Sequence, residues 1–468
     1  MKFLFRSSDA LCLPQALRVK WEGHSVKLSI DRPEFNRMGD GLIDKSVNLE
    51  KDVNWADVII YDVQDGPLYA EADKIRSQKP VLGATKLARM LEHDRKFGLD
   101  FARRSGLRVP EMREFSGALA FARAREFLRS KGPKEDWVLK VNGKAPNGVG
   151  TYVSQDGRNG ALRVLEHWET LYKLDKIAPD FLISAKVEGV EISTEGWFNG
   201  REFYCFNHTI ERTKFFPRDL GEKVGCTGNV VWASSLGGER LVRSCLQPAA
   251  EQLVGKFVGP FDVNCIIERE TNEPTFLEYS PRFGYDAIFA LMELFSNTDF
   301  GEFLYKIAKG ESWEGLLEGY AGDVRITIPP FPAKGAKDDD PESVGVPIFG
   351  LDAGKYNRHC HFIEVMINEK DELVTSGPHG VVLSVTGYAG DVRSAQEEAY
   401  RIAKAIRVPN MRYRDDLTEA IGEVYDDLEA TGWLSDVAQE MRSVPKMFQR
   451  MGRPSAGRGS LPRLRGSR

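Results

Sequence analysis

An acid and a base close one apolar run. In "TFLEYSPRFGYD", Thr275, Phe276 and Leu277 read as a buried strand, Glu278 follows, and Pro281, Arg282, Phe283 and Gly284 end it sharply. Arg282, four residues after the acid, offers a planar fork of donors suited to an anionic group. Taken alone, the two residues read as an ion pair at a strand end. A second stretch, "DWVLKVNGKAPNGVGTYVS", reads as strand, glycine-rich turn and strand. Trp137–Val141 leads in and carries Lys140, Gly143, Gly148 and Gly150 lie in the turn, and Thr151–Ser154 return. Such a hairpin can fold backbone N–H groups over phosphates, although glycine hairpins are usually only turns. Glu188 and Glu191 begin a strand in "KVEGVEIS", and by themselves two such glutamates read as a solvated strand end.

These residues need elements to hold them. "KFLF", "SVKLSI", "ADVIIYD" and "KPVLGA" read as strands, and "ALCLPQALRVKWEG" as a helix ending at Gly23. Strands alternating with helices imply a parallel sheet covered on both faces, which places a first α/β domain at residues 1–86. Its first turn, "FRSSDALCLP", lacks G-x-G-x-x-G. Arg6, Ser7, Ser8 and the following helix N-terminus are candidates for holding an anion. Ser8 or Asp9 acting only as a helix cap is the favoured reading. "TKLARMLEHDRKFGLDFARRSGLRVPEMREF" reads as a helix pair ending at Gly106 and Pro110. Two strand pairs follow, turning at Asn199-Gly200 and near Thr271 to Pro274. Beyond residue 321, "DVRITIPPFP" and "HFIEVMINEK" begin a run of strands that ends in one amphipathic helix, with Asp391 and Ser394 as candidate caps. "AKGAKDDDPESVG" reads as a polar loop. The last residues, rich in Gly, Ser, Pro and Arg, are expected to form a disordered basic tail that touches an acidic partner or merely solubilises the chain.

At 468 residues the chain calls for two to four domains. The net charge of -5 makes no overall case for nucleic acid or membrane binding. The six cysteines are scattered without a C-x-x-C pair, which points to reduced thiols of a cytoplasmic protein, not to zinc or disulfides. The apolar run in "MKFLFRSSDALCLP" is too short for a signal peptide, and no later run is long enough to span a bilayer.

Five segments, in register over most of residues 80–425, resemble the phosphoribosylamine–glycine ligase family of ATP-grasp enzymes. "KPVLGATKLARMLEHDRKF" is similar to its G-P-T-x-x-A-x-L-E-x-S-K-x-F, "VEGVEIS" to D-G-x-E-x-S, and "LEYSPRFGYD" to E-F-N-x-R-F-G-D. "CTGN" stands where the family has N-T-G-G-M-G, and "GYAGDVRSAQEEAYRIAKAIRVPNMRYRDDL" resembles its last helix and terminal R-x-D-I-G. The resemblance implies an α/β fold, α+β in the later domains, with ATP-grasp architecture. An ATP-grasp domain at 87–320, with a hairpin lid near 137–154, would follow the N-terminal domain. A small α+β domain at 321–430 and the basic tail at 431–468 would complete the chain.

The same resemblance implies roles. Glu278 would hold Mg²⁺, or Mn²⁺, between ATP phosphates, with Ser280 as a second and weaker ligand. Arg95, Lys140, Gly148 and Gly150 would contact ATP, the backbone of Ser184, Ala185, Lys186 and Val187 would read adenine, and Glu191 would bind ribose. Arg282, Lys214 and Glu211 would serve catalysis, and Thr227 and Gly228, with Arg282, the substrate. The activity implied is ATP-dependent joining of a small carboxylate, glycine in the family, to an amine through an acyl phosphate, releasing ADP and phosphate. Several family features are missing, most of them on the amine side. "RSSDALCLP" replaces G-x-G-G-R-E-H-A, Val149 a loop lysine, Ser280 an asparagine, "RFGYDA" R-F-G-D-P-E, and "PHGVV" a late G-G-R. These losses leave open an amine other than phosphoribosylamine, or a nucleotide-binding protein weakened in catalysis.

Overall fold

Phe3, Leu4 and Phe5 are all fully buried, so the first strand is covered on both faces, as a parallel sheet requires. In the computed structural model, residues 1–63, 66–146, 149–234, 239–333, 343–351 and 358–434 are described. They form two units. One holds Met1–Ala88, Ile192–Asp262 and the chain from Ser280 onward, and the other holds Arg89–Glu191 and Val263–Tyr279.

The first unit opens with β1 (Lys2–Ser7), α1 (Leu13–Trp21), β2 (Ser25–Ile30), β3 (Asp44–Lys45), α2 (Leu49–Trp55), β4 (Val58–Tyr61), α3 (Leu68–Ile75) and β5 (Val81–Leu82). The strands form a parallel sheet in the order β3-β2-β1-β4-β5. Phe3, Phe5 and Leu28 fill one face, and Leu4, Ile59 and Tyr61 the other. Helix α1 starts later than the sequence suggested. Its N-cap position is Cys12, without a side-chain cap bond. Neither Ser8 nor Asp9 caps it, because Ser7 Oγ accepts from the Ala10 amide (2.9 Å) and ties up the preceding turn.

The second unit contains α4 (Lys86–His93) from Arg89 onward, then α5 (Arg95–Arg104), β6 (Met112–Ser116), α6 (Ala120–Arg129), β7 (Trp137–Val141), β8 (Tyr152–Val153), α7 (Gly157–Leu174) and β9 (Asp180–Ala185). Its antiparallel sheet runs β6-β9-β7-β8 over an aromatic core that includes Phe115, Phe121, Trp137, Trp168 and Phe181. Asp94 caps α5, accepting from the Phe97 amide at 3.0 Å.

The chain passes between units within β10 (Gly189–Phe198) and β13 (Gly259–Glu268). Strands β11 (Phe203–Phe216), β12 (Leu220–Ser234) and β14 (Pro274–Ser280), with the short helix α8 (Ala250–Leu253), complete this stretch. In the second unit the Phe276 amide on β14 bonds Arg108 O, and Phe101 meets Tyr279 edge-on. After α9 (Ala287–Leu294) and α10 (Phe300–Lys309) come β15 (Tyr320–Thr327), β16 (Cys360–Phe362), β17 (Val365–Ile367), β18 (Leu373–Thr375), β19 (Val381–Ala389), α11 (Val392–Ala403) and α12 (Leu417–Ala430). In the first unit, β10-β11-β12-β15-β19-β16 run antiparallel in that order. Asp391 caps α11, accepting from the Ser394 amide at 2.9 Å. All six cysteines are buried, with Cys265 in the second unit and the others in the first. Among the described residues, no helix is long and apolar enough to cross a membrane.

Candidate active site

Five elements of the second unit converge on a recess. Leu91, Arg95 and Leu99 come from the helix pair, Met112 from β6, Leu182 from β9, and Phe276, Leu277 and Glu278 from β14. Arg95 opens α5, so its side chain reaches past the helix end. Its Nε donates to Val141 O at 3.1 Å, and its Nη1 lies 3.7 Å from Glu278 Oε2. The side chain of Glu278 is 56% exposed, with Arg95 as its ion partner. Lys140 precedes Val141 and faces Leu182 in the β7–β9 register, while Ser184 faces Val138 and Ala185 faces Trp137. Lys186 leaves the strand with its amide on Asp136 O (2.9 Å) and its ammonium on Glu188 (2.5 Å). Val187 is half-buried and Glu191, two residues into β10, is exposed. Gly189 has no room for a side chain, since a Cβ there would lie 2.0 Å from Ile267 O. The structure thus brings Arg95, Glu278 and the strand bearing Ser184 to one recess with largely apolar walls, and Arg95 links it to Val141 on the strand bearing Lys140. An exposed carboxylate beside a guanidinium suits a hard cation and the phosphates it bridges.

Gly148 lies outside the described residues. Gly150 is exposed, and Val149 rests with Ala145 against the aromatic core of this unit. Packing therefore accounts for the valine that stands in place of a loop lysine.

The residues assigned to the acceptor side sit on β11 and β12 in the first unit. Glu211 pairs with Asn229 and Arg212 with Gly228. Thr227 Oγ1 donates to Arg212 O (2.9 Å) and Lys214 O (3.2 Å), and Lys214 Nζ donates to Gly221 O (2.8 Å). A Cβ on Gly228 would come within 2.3 Å of Leu417 Cδ1, so this glycine has a packing reason of its own. Ser280, the last residue of β14, is half-buried, and Arg282 donates to Phe283 O at 2.8 Å.

Buried acids are what sequence reasoning missed. Glu195 and Asp262 are both buried, and Asp262 accepts from Ser193. Burial, then Asp262, pushes the Glu195 carboxyl well above its usual range, and Arg282 opposes the push. No local signal marks these acids, since β10 is buried at every position from Ile192 to Phe198. A second group joins Asp286 to Arg325 through two hydrogen bonds of 2.6 Å. Asp323, on the strand beside Asn229, is raised well above the carboxylate range by burial and by Asp286.

Two places where an anion could be held are filled by the chain's own carboxylates. Arg6 meets Glu71 at 2.9 and 3.2 Å and Asp31 at 2.5 Å. In "PHGVV", the amides of His379, Gly380 and Val381 all turn onto the buried Glu364 carboxylate, at 3.1, 2.8 and 3.2 Å. Three successive N–H groups make a concavity for negative charge, and Glu364 already occupies it.

An antiparallel sheet with a glycine-containing hairpin, and an exposed acid near the end of β14 beside an arginine, are features of the ATP-grasp fold. Residues 93–287 match the family model described as phosphoribosylglycinamide synthetase, ATP-grasp (A) domain. The chain is 24% identical to a phosphoribosylamine–glycine ligase of Chlorobaculum tepidum over 346 residues, covering 72% of this chain and 77% of that one. The crystal structure of a phosphoribosylamine–glycine ligase from Thermotoga maritima superposes with a TM-score of 0.67 at 19% identity, over 89% of this chain and all of that one. A biotin carboxylase domain from Hydrogenobacter thermophilus, solved with MgADP and bicarbonate, superposes at 0.55 with 15% identity, over 94% and 98% of the two chains. The chain thus resembles phosphoribosylamine–glycine ligases along most of its length, with an ATP-grasp domain of that family matched over residues 93–287.

Proposed function

We propose that this ligase joins a small carboxylate to an amine other than phosphoribosylamine. ATP, with Mg²⁺ to balance its charge, would supply the γ-phosphoryl group that turns the carboxylate into an acyl phosphate with loss of ADP, and the amine would attack the acyl carbon and expel phosphate to leave the amide. The protein's part is positioning, charge neutralisation and exclusion of water. Glu278 holds the cation, with Ser280 as its neutral companion. Arg95 and Lys140 neutralise phosphate charge, the backbone from Ser184 to Val187 meets adenine, and Glu191 meets ribose. The hairpin that carries Gly150 covers the nucleotide. Arg282, Lys214 and Glu211 attend the acyl group, with Thr227 and Gly228 beside it. Glycine is the first carboxylate to try, since the family relatives are glycine ligases by name.

The observation that carries this reading is the Arg95–Glu278 pair at the apolar recess, set against acceptor-side anion sites already filled by Glu71, Asp31 and Glu364. Losing one charge-assisted phosphate contact costs roughly 1.5–3 kcal/mol, and losing several removes useful affinity. The test is ADP release across amino acids and amines, with product mass as readout. ADP release that needs both partners, and an amide as product, is expected. Glycinamide ribonucleotide formed at the rate of a purine-pathway enzyme would overturn the choice of amine, and ADP release independent of any carboxylate would overturn the ligase reading.

A further inference from the structure

Two departures from the family pattern, "RSSDALCLP" and "RFGYDA", meet in space. The order β3-β2-β1-β4-β5 reverses direction between β1 and β4, and open parallel sheets hold ligands at the carboxyl ends of strands at such a point. Ser7 ends β1 and Asp62 follows β4. Ser7 Oγ donates to Asp62 Oδ2 at 2.6 Å, Tyr285 Oη lies 3.5 Å from the same oxygen, and Gln15 Nε2 lies 3.4 Å from Tyr285 Oη. Gln15 and Asp62 are fully buried, whereas Ser8, Asp9 and Tyr285 at the border are only half-buried.

Among the described residues, Gln15 Oε1 is buried without a hydrogen-bond partner, and Asp62 Oδ1 has nothing better than the thiol and amide of Cys12. Buried polar atoms are seldom left so, and each costs roughly 1–3 kcal/mol if nothing meets it. Gln15 Oε1 is an acceptor, as is Asp62 when ionised, so a ligand that completes them must bring N–H or O–H donors. Burial and the nearby Asp9 raise the Asp62 carboxyl to about 7, a push that a neighbouring ammonium would reverse. A phosphate would face the reverse situation. It would sit against acceptors, while Arg6 and the amides at His379 to Val381 already serve Glu71, Asp31 and Glu364.

We propose that the amine acceptor is an ammonium- or hydroxyl-bearing molecule without a phosphate, held at the carboxyl ends of β1 and β4 by Gln15, Asp62 and Tyr285. This rests on the ligase reading, and the test separates the two. The full chain is first incubated with ATP, Mg²⁺, a panel of amino acids and hydroxylamine. Hydroxamate and ADP report the acyl phosphate without using an amine pocket. Matched acceptors then replace hydroxylamine: ethanolamine against O-phosphoethanolamine, and glucosamine against glucosamine 6-phosphate.

The unphosphorylated member of each pair is expected to have at least about tenfold higher kcat/KM. In Gln15→Leu the ratio of amine-supported to hydroxylamine-supported kcat/KM should fall about tenfold. Tyr285→Phe, which removes only a hydroxyl, should lower the same ratio and guards against misfolding of the first variant. Preference for the phosphorylated members, no acceleration by any unphosphorylated amine, or unchanged ratios in both variants would overturn the pocket while leaving the ligase reading intact. Absence of hydroxamate with every amino acid would overturn the ligase reading, and this inference with it.

Discussion

Glu278 and Asp62 are both carboxylates at strand ends, and their surroundings give them opposite work. Glu278 is exposed beside a guanidinium, where it can reach a cation. Replacing it by Gln preserves shape and removes that charge. ADP formation should fall by about two to three orders of magnitude, with the circular dichroism spectrum unchanged. Wild-type turnover at limiting Mg²⁺ would take Glu278 out of the metal site. Asp62 is buried and raised to about 7. Its folded pKa lies above the unfolded value, so the folded chain keeps a proton that the unfolded chain releases near pH 4. Stability therefore falls as pH rises from about 4 to 7 and stays reduced above that. Asp62→Asn should match wild type at pH 4 and exceed it at pH 8 by on the order of 2–4 kcal/mol, read from urea unfolding at both pH values. An equal difference at the two pH values would show that Asp62 is not protonated in the fold. Glu278 stood out in the sequence because a turn follows it and a resemblance carries it. Glu195, Asp262 and Asp62 did not, since an acid in an apolar strand looks the same whether it is buried or solvated.

Among elements, the hairpin after β7 would have to move to serve as the cover proposed above. Its return strand is two residues long, Tyr152–Val153, and Val149 and Ala145 give it a modest apolar footing. Few buried contacts mean a low free energy of opening. Amides from Gly143 to Ala145 and from Gly150 to Val153 should exchange fast in the free chain and slow at least tenfold with MgADP. Equal protection in both states would make the hairpin an ordinary turn. Trp137–Val141 and the turn at Asn199-Gly200 were readable because alternation and glycine punctuation are local. The pairing of β12 with β15 was not, since it joins residues almost a hundred positions apart and leaves no periodic mark in either strand. The start of α1 was misread for a related reason. Ser7 answers to Asp62, a partner 55 residues away, as well as to its own turn.

For the whole molecule, the parallel sheet, the strand-rich later region and the ATP-grasp order were legible, because they follow from the succession of elements. The tail from residue 435 and Gly148 lie outside the described residues. A ligand that binds only the folded chain stabilises it by about 2.7 kcal/mol at a hundred times its dissociation constant. MgADP should therefore raise the melting temperature by about 2 °C or more, and Glu278→Gln should abolish the part that depends on Mg²⁺. A melting curve indifferent to MgADP would count against nucleotide binding. The placement of the cysteines carries one more consequence. With every thiol shielded, an alkylating reagent can act only when the chain opens, so the labelling rate becomes a clock for opening. Cys265 keeps time for one unit and Cys12 and Cys360 for the other. Mass spectrometry of labelled peptides would tell whether the two units come apart together or in turn, and which of them nucleotide slows.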